Sequence, residues 1–351
     1  MYTKKIYTAR QMAWWTRFET LLFFAIITIC VAAYYFLDLT WIKIPWTPLA
    51  LIGTAVAFVI GFQNNSAYGR IWEARKIWGG IVNTSRTFGM FLQDMITNEH
   101  ATNPVSEEQL KKEIKTLTYR HIAWMTALRH AMRMPKPWET TANHRTNTEW
   151  GMRPPEMDST LEVDLEPYIS PSDLTDAMGK NNKQTALLYQ QSHHLKKLKE
   201  QGILWEFSFL ELEAVLQELF TLQGKSERIK NFPYPRQFAT LNHLFMWTFV
   251  LLLPLALVPQ FEEIGNGLID KHPVMGDLFV WFTIPFYVIV AWVFHTMERI
   301  GRTGENPFEG TANDVPISTI ARGIEIDLRQ NLGELDEDIP EQFPVRLHTQ
   351  F

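Results

Sequence analysis

Apolar residues along the chain gather into four blocks separated by polar stretches. Residues 21–37 read LLFFAIITICVAAYYFL, unbroken by charge over about 17 positions, the lower edge of what spans a hydrocarbon core of about 30 Å. Residues 45–62 follow after only a short turn, so the first two blocks predict a helical hairpin. Residues 245–258 and 278–294 form a second pair, each with one proline, Pro254 or Pro285, that a membrane helix tolerates as a kink. A signal peptide competes for the first block, but Trp14 and Trp15 precede it and no small-residue cleavage site follows Tyr34, Tyr35 and Phe36. The second and third blocks are also short enough to be core helices of a water-soluble protein.

Charge flanks decide between these readings. Lys4, Lys5, Arg10 and Arg17 precede the first block without an acid, only Asp38 and Lys43 lie between the first two, and Arg70, Arg75 and Lys76 follow the second. Lys225, Arg228, Lys230 and Arg236 precede the third, the third-to-fourth connection is acidic, and Arg299 and Arg302 follow the fourth. Basic flanks alternate in register with the blocks, which predicts four transmembrane helices with both termini cytoplasmic, in the inner or plasma membrane. The chain then divides into a cytoplasmic amino-terminal segment (1–20), a first helix pair (21–69), a cytoplasmic helical region (70–236), a second pair (237–297) and a cytoplasmic carboxyl-terminal segment (298–351). The fold class is an all-α membrane protein.

Within the polar region, residues 107–133 place Leu110, Ile114, Leu117, Ile122, Met125 and Leu128 at three- and four-residue steps, and residues 203–220 repeat Leu204, Phe207, Leu210, Ala214 and Val215, so both stretches predict helices packing on helices. Residues 134–172 carry six prolines among scattered charges and predict an irregular excursion with one helical turn.

Composition adds aromatic anchors and removes several classes of chemistry. Thirteen Trp, 23 Phe and 10 Tyr are a high aromatic load that suits membrane interfaces, with lipid as an expected partner. A net charge of −5 offers no global basic field for nucleic acid. The single cysteine, Cys30, excludes an intramolecular disulfide. Gly224, Lys225 and Ser226 imitate the end of a phosphate-binding loop, but Leu219 stands where that loop needs its first glycine. His193 and His194 are adjacent and diverge by about 100° on a helix, while His121 and His130 sit among Arg120, Arg129 and Arg133. Nothing nominates an enzyme, a resident metal or another cofactor.

The second block carries the informative pattern. Gly53, Ala57 and Gly61 give one helix face no bulk and admit a close neighbour, while Thr54, Phe58 and Phe62 form an adjacent stripe. Both are explained by ordinary packing or by a stripe that faces a symmetry axis. A polar and aromatic run follows, and if the helix continues, Glu73 and Lys76 are placed to pair and Arg75 to meet Trp72 and Trp78.

The run FQNNSAYGRIWEARKIWGGIVNTSR, with Asn64, Asn65, Arg70, Trp72, Glu73, Arg75 and Trp78, resembles the signature of the bestrophin family of ion channels in its shorter bacterial-type form. Glu305-Asn306-Pro307-Phe308, Asn313-Asp314-Val315-Pro316 and Ile324-Glu325-Ile326-Asp327 resemble the segment after that family's fourth span, and the likeness covers most of residues 17–330. It implies a homopentamer around one central pore. Thr54, Phe58 and Phe62 then match the three residues of a hydrophobic neck, and counting back from Arg228 assigns Val215 to a lower aperture.

The implied function is passive conduction of small monovalent ions. A phenyl edge is the positive part of the ring, so edges turned inward favour anions, and chloride is preferred over sodium or potassium. Glu206, Glu211, Glu213 and Glu218, if they face the lumen, favour cations, which keeps a cation channel of the same fold as an alternative, and a non-conducting scaffold follows if the stripes of the second block are only packing. Animal members open on calcium bound by an acidic clasp. Here Glu309, Gly310, Thr311, Ala312 and Asn313 stand in its place with only Asp314 matching, so a tight calcium switch is not expected. Glu305, Asn306 and Asp314 remain as the residues of a weak cation site. The acidic tail of Glu334, Asp336, Glu337, Asp338 and Glu341 is expected to be a solvated strap on cytosol or a neighbouring subunit.

Overall fold

The computed structural model describes residues 1–101, 103–139, 145–151 and 153–351. Its helices are α1 (Ala9–Trp15), α2 (Arg17–Phe36), α3 (Trp46–Met95), α4 (Glu107–Arg133), α5 (Arg145–Glu149), α6 (Leu161–Leu165), α7 (Pro171–Met178), α8 (Lys183–Glu200), α9 (Glu206–Asn231), α10 (Arg236–Asn266), α11 (Pro273–Leu278), α12 (Thr283–Thr303) and α13 (Ile317–Asn331). Short 3₁₀ turns lie at Pro155–Met157 and Phe279–Phe282, and no β-strand occurs among the described residues. The all-α class is thus the observed one. The chain forms two compact units, Lys4–Gly69 with Tyr234–Glu305, and Met1–Thr3 with Arg70–Pro233 and Asn306–Phe351.

The first unit contains the apolar blocks. Arg17–Phe36, Trp46–Met95, Arg236–Asn266 and Pro273–Thr303 are long and apolar enough to cross a membrane, as the four-block pattern predicts. Their mutual core is Phe23, Ile27 and Val31 of α2, Val56 and Ile60 of α3, Met246, Val250 and Leu253 of α10, and Tyr287 and Ala291 of α12. Pro254 and Pro259 lie inside α10, which continues through both. Pro285 lies just after the 3₁₀ turn Phe279–Phe282 of the fourth segment. It occupies the first turn of α12, where a missing N–H leaves no bond unmade.

The second unit is built around α4, which packs against α6, α8, α9 and α13. Trp78, Ile81, Phe88 and Leu92 of α3, Leu117, Trp124 and Leu128 of α4, Leu187 and Leu195 of α8, Leu212 and Leu219 of α9, and Ile317 and Ile324 of α13 form its core. The expected apolar face of α9 needs correction: Phe207 and Leu210 are exposed, and the buried set is Leu212, Leu216, Leu219, Leu222 and Ile229 with Gln223, Ser226 and Lys230. Polar Gln223 belongs inside because its amide accepts from Trp124 Nε1 at 2.9 Å and donates to Thr185 Oγ1 at 2.8 Å. A hydrophobicity count cannot register that pairing.

The proline-rich excursion also differs from expectation. Among its described residues it holds α5, a 3₁₀ turn and α6, and it leads directly into α7; residues 140–144 and 152 lie outside the described set. Thr160 and Ser170 cap α6 and α7, and Pro171 takes the first position of α7. Two carboxylates tie the segment down. Arg129 Nη1 donates to Glu156 Oε1 at 2.6 Å, which also accepts from Ser318 Oγ at 2.6 Å, and Arg129 Nη2 and His130 Nε2 lie 3.1 and 2.7 Å from Asp164 Oδ2. Burial alone raises the Glu156 carboxyl, but Arg133 and Arg129 beside it outweigh that and hold it below the ordinary value. The acidic tail is likewise not wholly solvated: Glu334 pairs with Lys115 at 2.9 Å and Arg329 at 2.6 Å and accepts from Tyr119.

His121 is buried beside Phe88 and stacked on Trp124 at 5.3 Å, with neither ring nitrogen hydrogen-bonded. Burial lowers its pKa to about 3. The unfolded chain, titrating near 6.5, therefore takes up a proton that the folded chain refuses, so stability falls as pH drops from about 6.5 towards 3.

Two outcomes are expected in thermal unfolding of the detergent-solubilised protein. Glu156→Ala removes the most buried carboxylate partner of Arg129 and Arg133, leaving Arg129 with Asp164 and Arg133 with the Phe308 carbonyl, and lowers stability by about 3 kcal/mol, whereas Asp336→Ala on the exposed tail changes it little. His121→Phe keeps the stacking and flattens the acid limb between pH 7 and 5 by about one proton taken up on unfolding; an unchanged slope contradicts the assignment.

Candidate pore-lining segment

Helix α3 has two unlike faces in the first unit. Gly53, Val56 and Ile60 are buried, and a Cβ on Gly53 would sit 2.7 Å from the Phe249 ring, so the glycine is what allows α10 to approach. The small-residue stripe works only there, since Ala57 and Gly61 are exposed and nothing lies within 4 Å of a Cβ built on Gly61. Thr54, Phe58 and Phe62 point the other way, Phe58 being 67% and Phe62 69% exposed. Thr54 Oγ1 donates to Ala50 O at 2.9 Å, which satisfies the hydroxyl within the helix. At about 100° per residue Asn65 continues the same line, and it is exposed.

The polar residues that follow divide by partner. Gln63, only 1% exposed, donates from Nε2 to Glu305 Oε1 at 3.0 Å and accepts at Oε1 from Asn242 Nδ2 at 3.1 Å. Glu305 Oε2 lies 3.3 Å from Arg236 Nη1. This chain of groups joins α3, α10 and the end of the fourth segment. Gln63 was visible in the sequence only as the first letter of a polar run. Asn64 Nδ2 donates to Met297 O at 3.1 Å, fastening α3 to α12.

In the second unit, Arg70 Nη2 donates to Ile229 O and Phe232 O, each at 3.0 Å, capping the carboxyl end of α9, and Glu73 accepts from Arg228. Glu73 therefore pairs across to α9 rather than along its own helix to Lys76. Trp78 is fully buried with its ring 6.5 Å from Phe308, so it is a core residue and not a surface partner of Arg75, which is exposed like Trp72. Val215 is half-buried against the core, whereas Leu210, Glu211, Ala214 and Glu218 of α9 are exposed.

The candidate cation residues have protein partners. Glu305 serves Gln63 and Arg236 in the first unit. In the second, Asp314 Oδ2 accepts from Gly310 N at 2.5 Å and Thr311 N at 3.0 Å, and its Oδ1 from Thr311 Oγ1 at 2.7 Å. This closes a turn in which Gly310 takes φ +99°, with Asn306 buried beside it. Arg133 Nη1 stands 3.9 Å from the same carboxylate. Such a donor set does not fit calcium, which takes six to eight oxygens, and no cluster of three His, Cys, Asp or Glu side chains among the described residues suits a metal ion.

A family model described as bacterial/fungal bestrophin protein matches residues 15–269 and 272–330. The chain belongs to the bestrophin family. A curated relative, the voltage-dependent anion channel-forming protein of Ralstonia nicotianae, is 27% identical over 89% of this chain and 86% of its own length. YneE of Escherichia coli, also named a voltage-dependent anion channel-forming protein, is 25% identical over 84% of this chain and 79% of its own. The crystal structure of a bacterial bestrophin homologue from Klebsiella pneumoniae superposes with a TM-score of 0.70 at 21% identity, covering 91% of this chain and 98% of that one. This bestrophin is accordingly an integral membrane protein.

The Gln63 contacts generate a direct test. Gln63→Leu removes the acceptor of Asn242 Nδ2 and the Gln63 donor to Glu305 Oε1 in a buried setting, at about 1–3 kcal/mol for each bond lost. Thermal unfolding in detergent should show a marked fall for Gln63→Leu and little change for the exposed Asn65→Ala.

Proposed function

We propose that copies of this bestrophin assemble as a homopentamer around a water-filled axis lined by α3, and that anions, chloride foremost, pass it down their gradient. The observation that carries this reading is the exposed line of Thr54, Phe58 and Phe62 on a helix whose opposite face is filled from within the chain. One chain has too few long apolar helices to enclose an aqueous path, so the open faces of several copies must meet in a closed ring. Two levels of phenyl rings make a narrow apolar neck that gates by dewetting, and ring edges turned to the axis favour anions over cations. The names of the curated relatives support an anionic cargo.

Val215, at the edge of the exposed side of α9, forms the lower aperture in this reading. The basic flanks orient the chain in the inner membrane with both termini in the cytoplasm. Asp314 and Glu305 are engaged by protein donors, which supports gating without calcium. The role is conduction rather than catalysis, and the partners are further copies of the chain, lipid and permeant ions.

One observation favours a second reading, cation selectivity in the same fold: Glu206, Glu211 and Glu218 are exposed on α9. Reversal potentials in asymmetric sodium chloride separate the two. For the neck, Phe58→Ala with Phe62→Ala should raise chloride flux in proteoliposomes several-fold by widening and wetting the constriction. Flux that stays at the protein-free background in both the parent and the double variant contradicts a channel.

A further inference from the structure

A cleft of about 320 Å³ lies between α4 and the segment leading into α7. Lys112, Lys115, Thr116, Tyr119 and Arg120 line it from α4, where pairs three and four residues apart (112/115, 112/116, 115/119, 116/119, 116/120) bring side chains of successive turns to the same side. Pro167, Tyr168, Ile169 and Ser170 line the opposite wall.

The cationic groups here are only partly matched by acids. Glu334 is shared between Lys115 at 2.9 Å and Arg329 at 2.6 Å, Arg329 also reaching Glu325 at 3.5 Å, and Asp173, which itself lines the cleft, takes Arg120 Nη2 at 2.9 Å through Oδ2. Arg120, its side chain 8% exposed, also places Nη1 2.9 Å from His194 Nδ1 and 3.4 Å from Gln191 Oε1, so it anchors the floor of the cleft. The exposed Lys112 ammonium adds a further positive charge at the rim. Hydroxyls of Ser170 and Ser172 lie 2.9 Å apart at the amino end of α7, where the helix dipole also favours negative charge. The rest of the wall is apolar or aromatic: Tyr119 and Tyr168 meet edge to face at 5.9 Å, and their hydroxyls are turned to Glu334 and Glu325. The Lys115 ammonium lies 4.9 Å over the Tyr119 ring on the α4 side, so the open planar and apolar wall of the cleft is that of Pro167, Tyr168 and Ile169, facing the cations of α4.

We propose that this cleft binds a small organic anion carrying a planar ring, an aryl phosphate or aryl carboxylate, with the ring against Tyr168, Ile169 and Pro167 and the anionic group against Lys112 and Lys115. The bound molecule bridges α4 and the segment 167–173. This site is independent of the pore reading, because it requires neither conduction nor a particular oligomer.

Phenyl phosphate is the probe, titrated into the full-length protein in detergent and followed by thermal shift and by calorimetry. Saturable stabilisation below about 10 mM is expected, with inorganic phosphate about tenfold weaker and phenol inactive. Lys112→Glu, at an exposed position that folding does not need, should weaken phenyl phosphate about tenfold. Thr116→Phe, which fills the cleft, should abolish its binding while the protein keeps its own melting temperature. No saturable binding, equal affinity for inorganic phosphate and phenyl phosphate, or unchanged affinity in Lys112→Glu overturns the proposal.

Discussion

Helix α3 meets α10 at a position with no room for a side chain, because the Phe249 ring occupies the space where a Cβ on Gly53 would be. That close approach fixes the rotation of α3 about its own axis. With Gly53, Val56 and Ile60 turned inward, Thr54, Phe58 and Phe62 have no choice but to face out. Two large phenyl rings on one line need a cover or a purpose. Lipid could cover them, but the same line continues into Asn65, a polar side chain that hydrocarbon disfavours. A path shared among copies of the chain accommodates both.

Polar pairing governs the rest of the molecule. In the first unit, Gln63 holds Asn242 and Glu305, while Arg299 reaches Glu19 at 3.0 Å and the Trp15 carbonyl at 3.0 Å, so the helix ends are fastened by specific partners as well as by apolar packing. In the second, Glu156 and Asp164 are drawn onto Arg129, His130 and Arg133 of α4, and a segment full of prolines becomes an ordered part of the unit. Removing one member of such a buried set leaves buried charge less than fully matched, which is why these groups matter more to stability than their number suggests.

The legible parts of the sequence were those written in periodicity and charge alternation. Four long apolar runs between basic and acidic flanks specified the membrane helices, whereas the run of α3 to Met95, well beyond its apolar half, stood in the sequence only as a condition. The stripe of Thr54, Phe58 and Phe62 was also readable, since residues four apart share a helix face whatever surrounds them. What could not be read depends on partners remote in sequence. Trp78 looks like an interfacial anchor until Phe308, more than 200 residues on, is found against it. The apolar face of α9 was misjudged because Gln223 and Ser226 are buried by hydrogen bonds, leaving Phe207 and Leu210 outside. Prolines at 154, 155, 167 and 171 suggested irregularity, yet Pro155 and Pro171 each begin a helical turn, the place where proline fits best.

The orientation of the exposed α3 face decides the functional account. In a Cys30→Ala background, Phe58→Cys places one thiol on that face, and a charged, membrane-impermeant methanethiosulfonate reagent can be applied while current is recorded across a planar bilayer. Rapid modification with a step change in conductance is the result expected of a side chain on an aqueous axis. A thiol that resists the charged reagent, reacts only with a lipophilic maleimide and leaves the current unchanged would place Phe58 in lipid and contradict the account.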